Sequence, residues 1–104
     1  MFLLNAFSVN MLAGNANVRF TEIGQDEAAS ILSEGFTSAV GHADTAALFG
    51  SLLGLPVPPA RVTVTFAQED IAILGQYSGP RLPEGSTALP QGATIRWYAI
   101  HVTA

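Results

Sequence analysis

The stretch Ala39-Val-Gly-His-Ala-Asp-Thr-Ala-Ala-Leu-Phe49 constrains this chain more than any other: a short apolar run breaks at Gly41, presents His42 and passes directly into a helix. Such a junction leaves the first backbone N–H groups of the helix unpaired and aims the positive end of its dipole at the turn. That combination favours an anion such as phosphate beside Gly41 and His42. His42 is therefore expected at the centre of any functional site, with Asp44 and Thr45 capping the helix start.

The flanks predict what this junction sits in. Residues 2–7 form an apolar run with Asn5 as its one polar break, which suits a strand buried on both faces near the middle of a sheet. Ser8 is placed to cap a short helical turn that Gly14 and Asn15 close. Residues 18–23 alternate apolar and polar, the pattern of a strand with one wet face and a solvated Arg19. Residues 25–34 carry acids in the first turn, Ala28, Ala29, Ile31 and Leu32 at helical spacing, and then Gly35 as a C-cap.

After an extended piece at 36–40, the second helix buries Ala46, Leu48, Phe49, Leu52 and Leu53 and stops at Gly54. Pro56, Pro58 and Pro59 forbid helix, so the chain emerges extended into 61–67, whose clean alternation predicts a strand. A further strand is expected at 71–77, and the spacer Gln68, Glu69 and Asp70 suits a hairpin between the two. Residues 78–92 form a long connection rich in Gly, Pro, Ser and Thr around Arg81 and Glu84, and 95–102 close the chain as an aromatic strand. The expectation is one domain over 1–104 with an α/β or α+β fold: a mixed, largely antiparallel sheet of about five strands with two main helices packed on it.

Composition narrows the function. A chain of 104 residues, 49% hydrophobic, builds one core, and a homodimer would add shared apolar area. With no cysteine there is no disulfide framework or thiolate metal site, which points to an intracellular, cytoplasmic protein. The apolar opening lacks a basic flank, and no apolar run approaches the ~20 residues of a membrane span, so a soluble protein without membrane attachment is expected. A formal net charge of −4 disfavours long nucleic acid as a partner. All four basic residues are arginines, Arg19, Arg61, Arg81 and Arg96, whose planar donor forks suit a few well-placed phosphates. Lysine scarcity reflects genome composition equally well.

Taken singly, Gly41-His42, Arg61 and the Gly79-Pro-Arg-Leu-Pro-Glu-Gly85 loop each have an ordinary structural explanation. Together they could cleave a phosphodiester without metal or cofactor, with His42 protonating a leaving oxygen, an arginine stabilising charge on phosphate, and Glu84 orienting or deprotonating. No metal site is expected, because His42 and His101 are far apart in sequence and no histidine–carboxylate cluster has ligand spacing.

The blocks Leu4-Asn-Ala-Phe-Ser-Val-Asn-Met-Leu12, Val40-Gly-His-Ala-Asp-Thr45, Arg61-Val-Thr-Val64 and Arg81-Leu-Pro-Glu-Gly85 resemble, in that order, the viral ring nucleases that act as anti-CRISPR proteins. The resemblance implies a homodimer that binds cyclic tetraadenylate, the messenger of type III CRISPR systems, and cuts it to linear diadenylate products in the host-cell cytoplasm. It implies His42 as catalytic acid, Arg81 and Glu84 as members of the same catalytic site, and Asn5, Ser8, Asn10, Gly41 and Arg61 as ligand contacts. Turn hydrogen bonds for Ser8 and Asn10 and a strand-start cation for Arg61 are the simpler alternatives.

Two other functions fit the residues. The same pocket could sequester the messenger without cutting it, or Trp97, Tyr98 and the apolar composition could serve a structural or protein-interaction domain. Tyr77, Trp97 and Tyr98 offer faces for adenine but suit core or dimer packing better. His101 reads most simply as a sheet residue.

Overall fold

The computed structural model describes residues 1–103. Five strands and two helices follow in the order β1 (Phe2–Leu4), β2 (Asn17–Ile23), α1 (Gln25–Leu32), β3 (Thr37–Ala39), α2 (Ala43–Leu53), β4 (Ile71–Ser78) and β5 (Thr94–Thr103). A single 3-10 turn, Val9–Met11, lies between β1 and β2. The strands form one sheet in the order β2-β5-β4-β1-β3. β1 runs parallel to β3 and β4, whereas β5 runs antiparallel to β4 and β2. This is the expected mixed sheet with two helices, and the antiparallel ladders are the long ones.

Both sheet faces are covered, by different means. On one face, Leu3, Ile73 and Trp97 meet Ala28 and Leu32 of α1 and Ala46, Phe49 and Leu53 of α2. The Phe49 and Trp97 rings approach to 4.9 Å between centroids over Gly75. A Cβ at Gly75 would stand 2.6 Å from Phe49, so this contact requires a residue without a side chain. On the other face, Leu4, Ala72, Leu74, Ile100 and Val102 are covered by Val64 and Phe66.

That second layer corrects the reading of 61–67 as a sheet strand hairpinned to 71–77. The segment is extended but lies across the sheet face, and its one ladder contact is a parallel bridge from Phe66 to Leu12. β4 has β1 and β5 as its neighbours instead. The alternation has a packing cause: Val64 and Phe66 point at the sheet while Val62, Thr63 and Thr65 face solvent. Any extended chain laid on a surface shows period two, with or without a ladder. The spacer at 68–70 is a turn tied to β5 rather than a hairpin loop, for Glu69 N–H donates to the Val102 carbonyl and the Asp70 carboxylate accepts from Ala67 N–H.

Smaller differences concern ends. β1 stops at Leu4 because its partner β3 stops opposite, at Ala39, so Asn5, Ala6 and Phe7 leave the ladder. α1 ends at Leu32 with Ser33 as its C-cap, and Gly35 follows at a positive φ of 117°. The expected end of α2 is in place: Gly54 is left-handed and its N–H donates to the Gly50 carbonyl. Arg19 is exposed as expected, and Arg96 forms a two-pronged ion pair with Glu22 across β5 and β2, at 2.9 and 3.1 Å. That hydrogen-bonded guanidinium holds the Glu22 carboxyl below its usual range.

If 61–67 is a packing layer, Phe66→Ala should cost about 3–5 kcal/mol of unfolding free energy, as a core truncation does, while Val62→Ala should stay within about 0.5 kcal/mol. Urea denaturation of the two variants measures the difference. Equal costs would restore a regular two-faced strand.

Candidate functional site

The three parallel strands deliver their C-terminal ends to one place. Asn5 follows β1, Val40-Gly41-His42 follows β3, and the loop carrying Arg81 follows β4. The crevice beyond the carboxyl ends of neighbouring parallel strands is where sheets of this kind bind ligands. A fourth contribution comes from the proline-rich connection: Ala60 N–H donates to the Val40 carbonyl at 2.8 Å, which brings Arg61 back beside Gly41.

His42 is the N-cap of α2. Its extended backbone (φ −118°, ψ 128°) lets its carbonyl accept from Ala46 N–H at 2.9 Å, while its side chain makes no capping bond. The expectation that Asp44 and Thr45 cap the helix is corrected here, because the chain is already helical at Ala43. Against the exposed imidazole, Asn5 Nδ2 lies 3.5 Å from His42 Nδ1. An amide N–H directed at Nδ1 favours the neutral tautomer with its proton on Nε2. Arg61 Nε donates to the Gly41 carbonyl at 3.1 Å, and Arg61 Cγ would lie 3.4 Å from a Cβ at Gly41. Glycine thus lets the arginine stem lie flat against the turn.

Two depressions meet at His42. One, of about 450 Å³, is lined by Asn5, Met11, Gly41, His42, Arg61 and Thr63 among others. The other, of about 290 Å³, is lined by His42, Asp44, Thr45, Tyr77, Arg81 and Leu82. A wider hollow of about 650 Å³ lies elsewhere, on β2 and β5 at Arg19 and His101. His101 is a sheet residue, as expected, and is engaged at 2.9 Å with the Glu69 carboxylate, so that hollow offers no unengaged imidazole. We therefore place the candidate site at His42.

The expected site residues fall into two groups. Asn5, Gly41, His42 and Arg61 converge on the first depression, and Arg81 shares the second with His42. Glu84 is exposed on the loop and lines neither. Ser8 and Asn10 also lie outside both; the Ser8 hydroxyl accepts from Asn10 N–H at 3.2 Å as the cap of the 3-10 turn. Trp97 is core, and Tyr98 packs edge-on against Phe20. Sequence reasoning missed that Tyr77 and Leu82 line the same depression as His42, and that the Asp44 carboxylate accepts from Gly85 N–H at 3.4 Å. No local pattern marks a contact across that separation. Among the described residues, no group of three or more His, Asp or Glu side chains is placed to hold a metal ion.

The model of the STIV B116-like family matches residues 1–92. The chain belongs to that family. Among solved structures, B116 of Sulfolobus turreted icosahedral virus is similar over 95% of this chain and 96% of its own, at 28% identity and a TM-score of 0.80. No curated protein matches. The family match contains every element that builds the site, from Asn5 to Gly85, while all of β5 lies beyond it. The small mixed sheet with its helices is thus a B116-like fold, similar to that of a viral protein. None of its described helices is long and apolar enough to cross a membrane.

The Asn5 contact has a direct readout. In long-range nitrogen–proton correlation spectra, the uncharged His42 ring should show a larger share of the Nε2–H tautomer in the intact protein than in Asn5→Ala.

Proposed function

We propose that this protein is a metal-independent phosphodiesterase of the ring-nuclease type, which binds cyclic tetraadenylate across a two-fold homodimer and cuts it to linear diadenylate products. The observation that carries the reading is the position of His42 in an otherwise acidic chain: Arg61 lines one of the depressions that meet there and Arg81 the other. The open end of α2 adds the partial positive charge of its first N–H groups. Of the remaining arginines, Arg96 is neutralised by Glu22 and Arg19 lies on β2, so half of the chain's cations are concentrated here.

The chemistry follows from the ligand. In RNA the 2′ hydroxyl attacks the adjacent phosphorus when held in line, the bond from phosphorus to the 5′ oxygen breaks, and the leaving oxygen takes a proton. His42 supplies that proton, and Arg61 and Arg81 stabilise the charge on the phosphate oxygens. The 2′ proton passes to water, and the product carries a 2′,3′-cyclic phosphate and a 5′ hydroxyl. A four-nucleotide ring has two-fold symmetry, so a two-fold dimer presents one His42 to each of two opposed linkages. The kinship with a viral protein supports a role in shutting off type III CRISPR signalling in the host cytoplasm.

The test is incubation of the purified protein with cyclic tetraadenylate in EDTA. We expect linear products, one ring bound per two chains, and a rate reduced about 100-fold or more in His42→Ala, the usual worth of a general acid. An uncut ring, or undiminished cutting by the variant, would refute the catalytic assignment. One observation favours a second reading: Glu84 lies outside both depressions, which leaves the base unplaced and suits a module that sequesters the messenger. Tight binding without turnover selects that alternative.

A further inference from the structure

Among the described residues, Arg81 makes no hydrogen bond or ion pair of its own, so its place beside His42 is set by the loop that carries it. That loop has no helix or strand to hold it. It is instead pinned on either side of Arg81. Before it, the Tyr77 hydroxyl at the end of β4 donates to the Pro80 carbonyl. After it, Gly85 N–H donates to Asp44 Oδ1 in the first turn of α2, at 3.4 Å. Around the second pin, Ser86 closes a tight turn by donating from both its N–H and its hydroxyl to the Pro83 carbonyl, at 3.2 and 2.7 Å.

We infer that Asp44 and Tyr77 are positioning residues, which clamp the 79–85 loop across the mouth of α2 and so hold the Arg81 guanidinium beside the His42 imidazole. The two pins differ in reach. Tyr77–Pro80 is local, three residues apart, and shapes the exit from β4. Asp44–Gly85 spans 41 residues and attaches the loop to the same helix turn that presents His42. An aspartate there is a choice with a cost, since its charge opposes an anionic ligand. The helix dipole stabilises that carboxylate, and its oxygen is occupied by the loop amide.

The clamp can be tested without reference to any reaction. Trypsin cuts after arginine; Arg19 and Arg96 lie within strands, so cleavage at the 81–82 bond, identified by fragment mass, reports loop release. Losing one hydrogen bond of ordinary strength should raise that rate by about 2- to 10-fold in Asp44→Ala and in Tyr77→Phe, with the thermal midpoint unchanged. Asp44→Asn keeps the accepting oxygen and should be cut at the rate of the unaltered protein. Equal rates in all four proteins, or release in Asp44→Asn as large as in Asp44→Ala, would overturn the inference. If Asp44→Ala does not fold, Tyr77→Phe and Asp44→Asn decide the matter.

The catalytic consequence rests on the phosphodiesterase reading. There, Asp44→Ala should lower kcat on cyclic tetraadenylate in the direction of Arg81→Ala, and the double variant should be no slower than Arg81→Ala alone. Loop release without any turnover in the unaltered protein would remove the enzyme and leave the clamp. Unchanged proteolysis with full turnover would do the reverse.

Discussion

Everything at the site depends on the pairing of β1, a strand of three residues, between β3 and β4 in the same direction. A short strand holds such a position when both its faces are buried, and Leu3 and Leu4 are each excluded from solvent, one in the core under the helices and the other under the crossing segment. Because all three strands run the same way, the residues that follow them emerge at one edge. Asn5, His42 and the start of the Arg81 loop are neighbours for that reason. The antiparallel ladders of β5 with β4 and β2 stabilise the rest of the sheet but bring nothing to that edge.

The crossing segment 61–67 links stability to chemistry. Val64 and Phe66 close the second core, and the same stretch begins at Arg61, whose Nε is tied to the Gly41 carbonyl. The path from α2 back to β4 is therefore constrained at one end by apolar burial and at the other by a polar contact at the turn before His42. A chain with an excess of acids gathers a local positive field in this way: two arginines, distant in sequence, are carried to opposite sides of one helix mouth by elements that are themselves held by packing.

Much of this was legible in the residues. Gly41-His42 before an amphipathic run marked the helix start, Gly54 marked its end, and Ser8 announced its cap, because these are local matters of backbone conformation and nearest-neighbour hydrogen bonding. The sheet with two helices was legible from the order of periodic segments. The role of 61–67 was not, since alternation reports that one side of an extended chain is buried and is silent on whether the other strand edges are paired. Asp44 is the same problem in miniature: a carboxylate near a helix start satisfies the local rule for capping, and here its partner is the amide of Gly85.

The sequence by itself determined where the chain turns, which faces are apolar, and that an imidazole stands at the opening of α2, all of which follow from interactions within a few residues. Tertiary structure alone decided that Arg61 and Arg81 flank that imidazole, that Glu84, Ser8 and Asn10 stand outside the depressions beside it, and that Tyr77 and Asp44 hold the loop. Those placements depend on strand order and direction, which arise from how two apolar layers cover one sheet and leave no periodic trace in the chain.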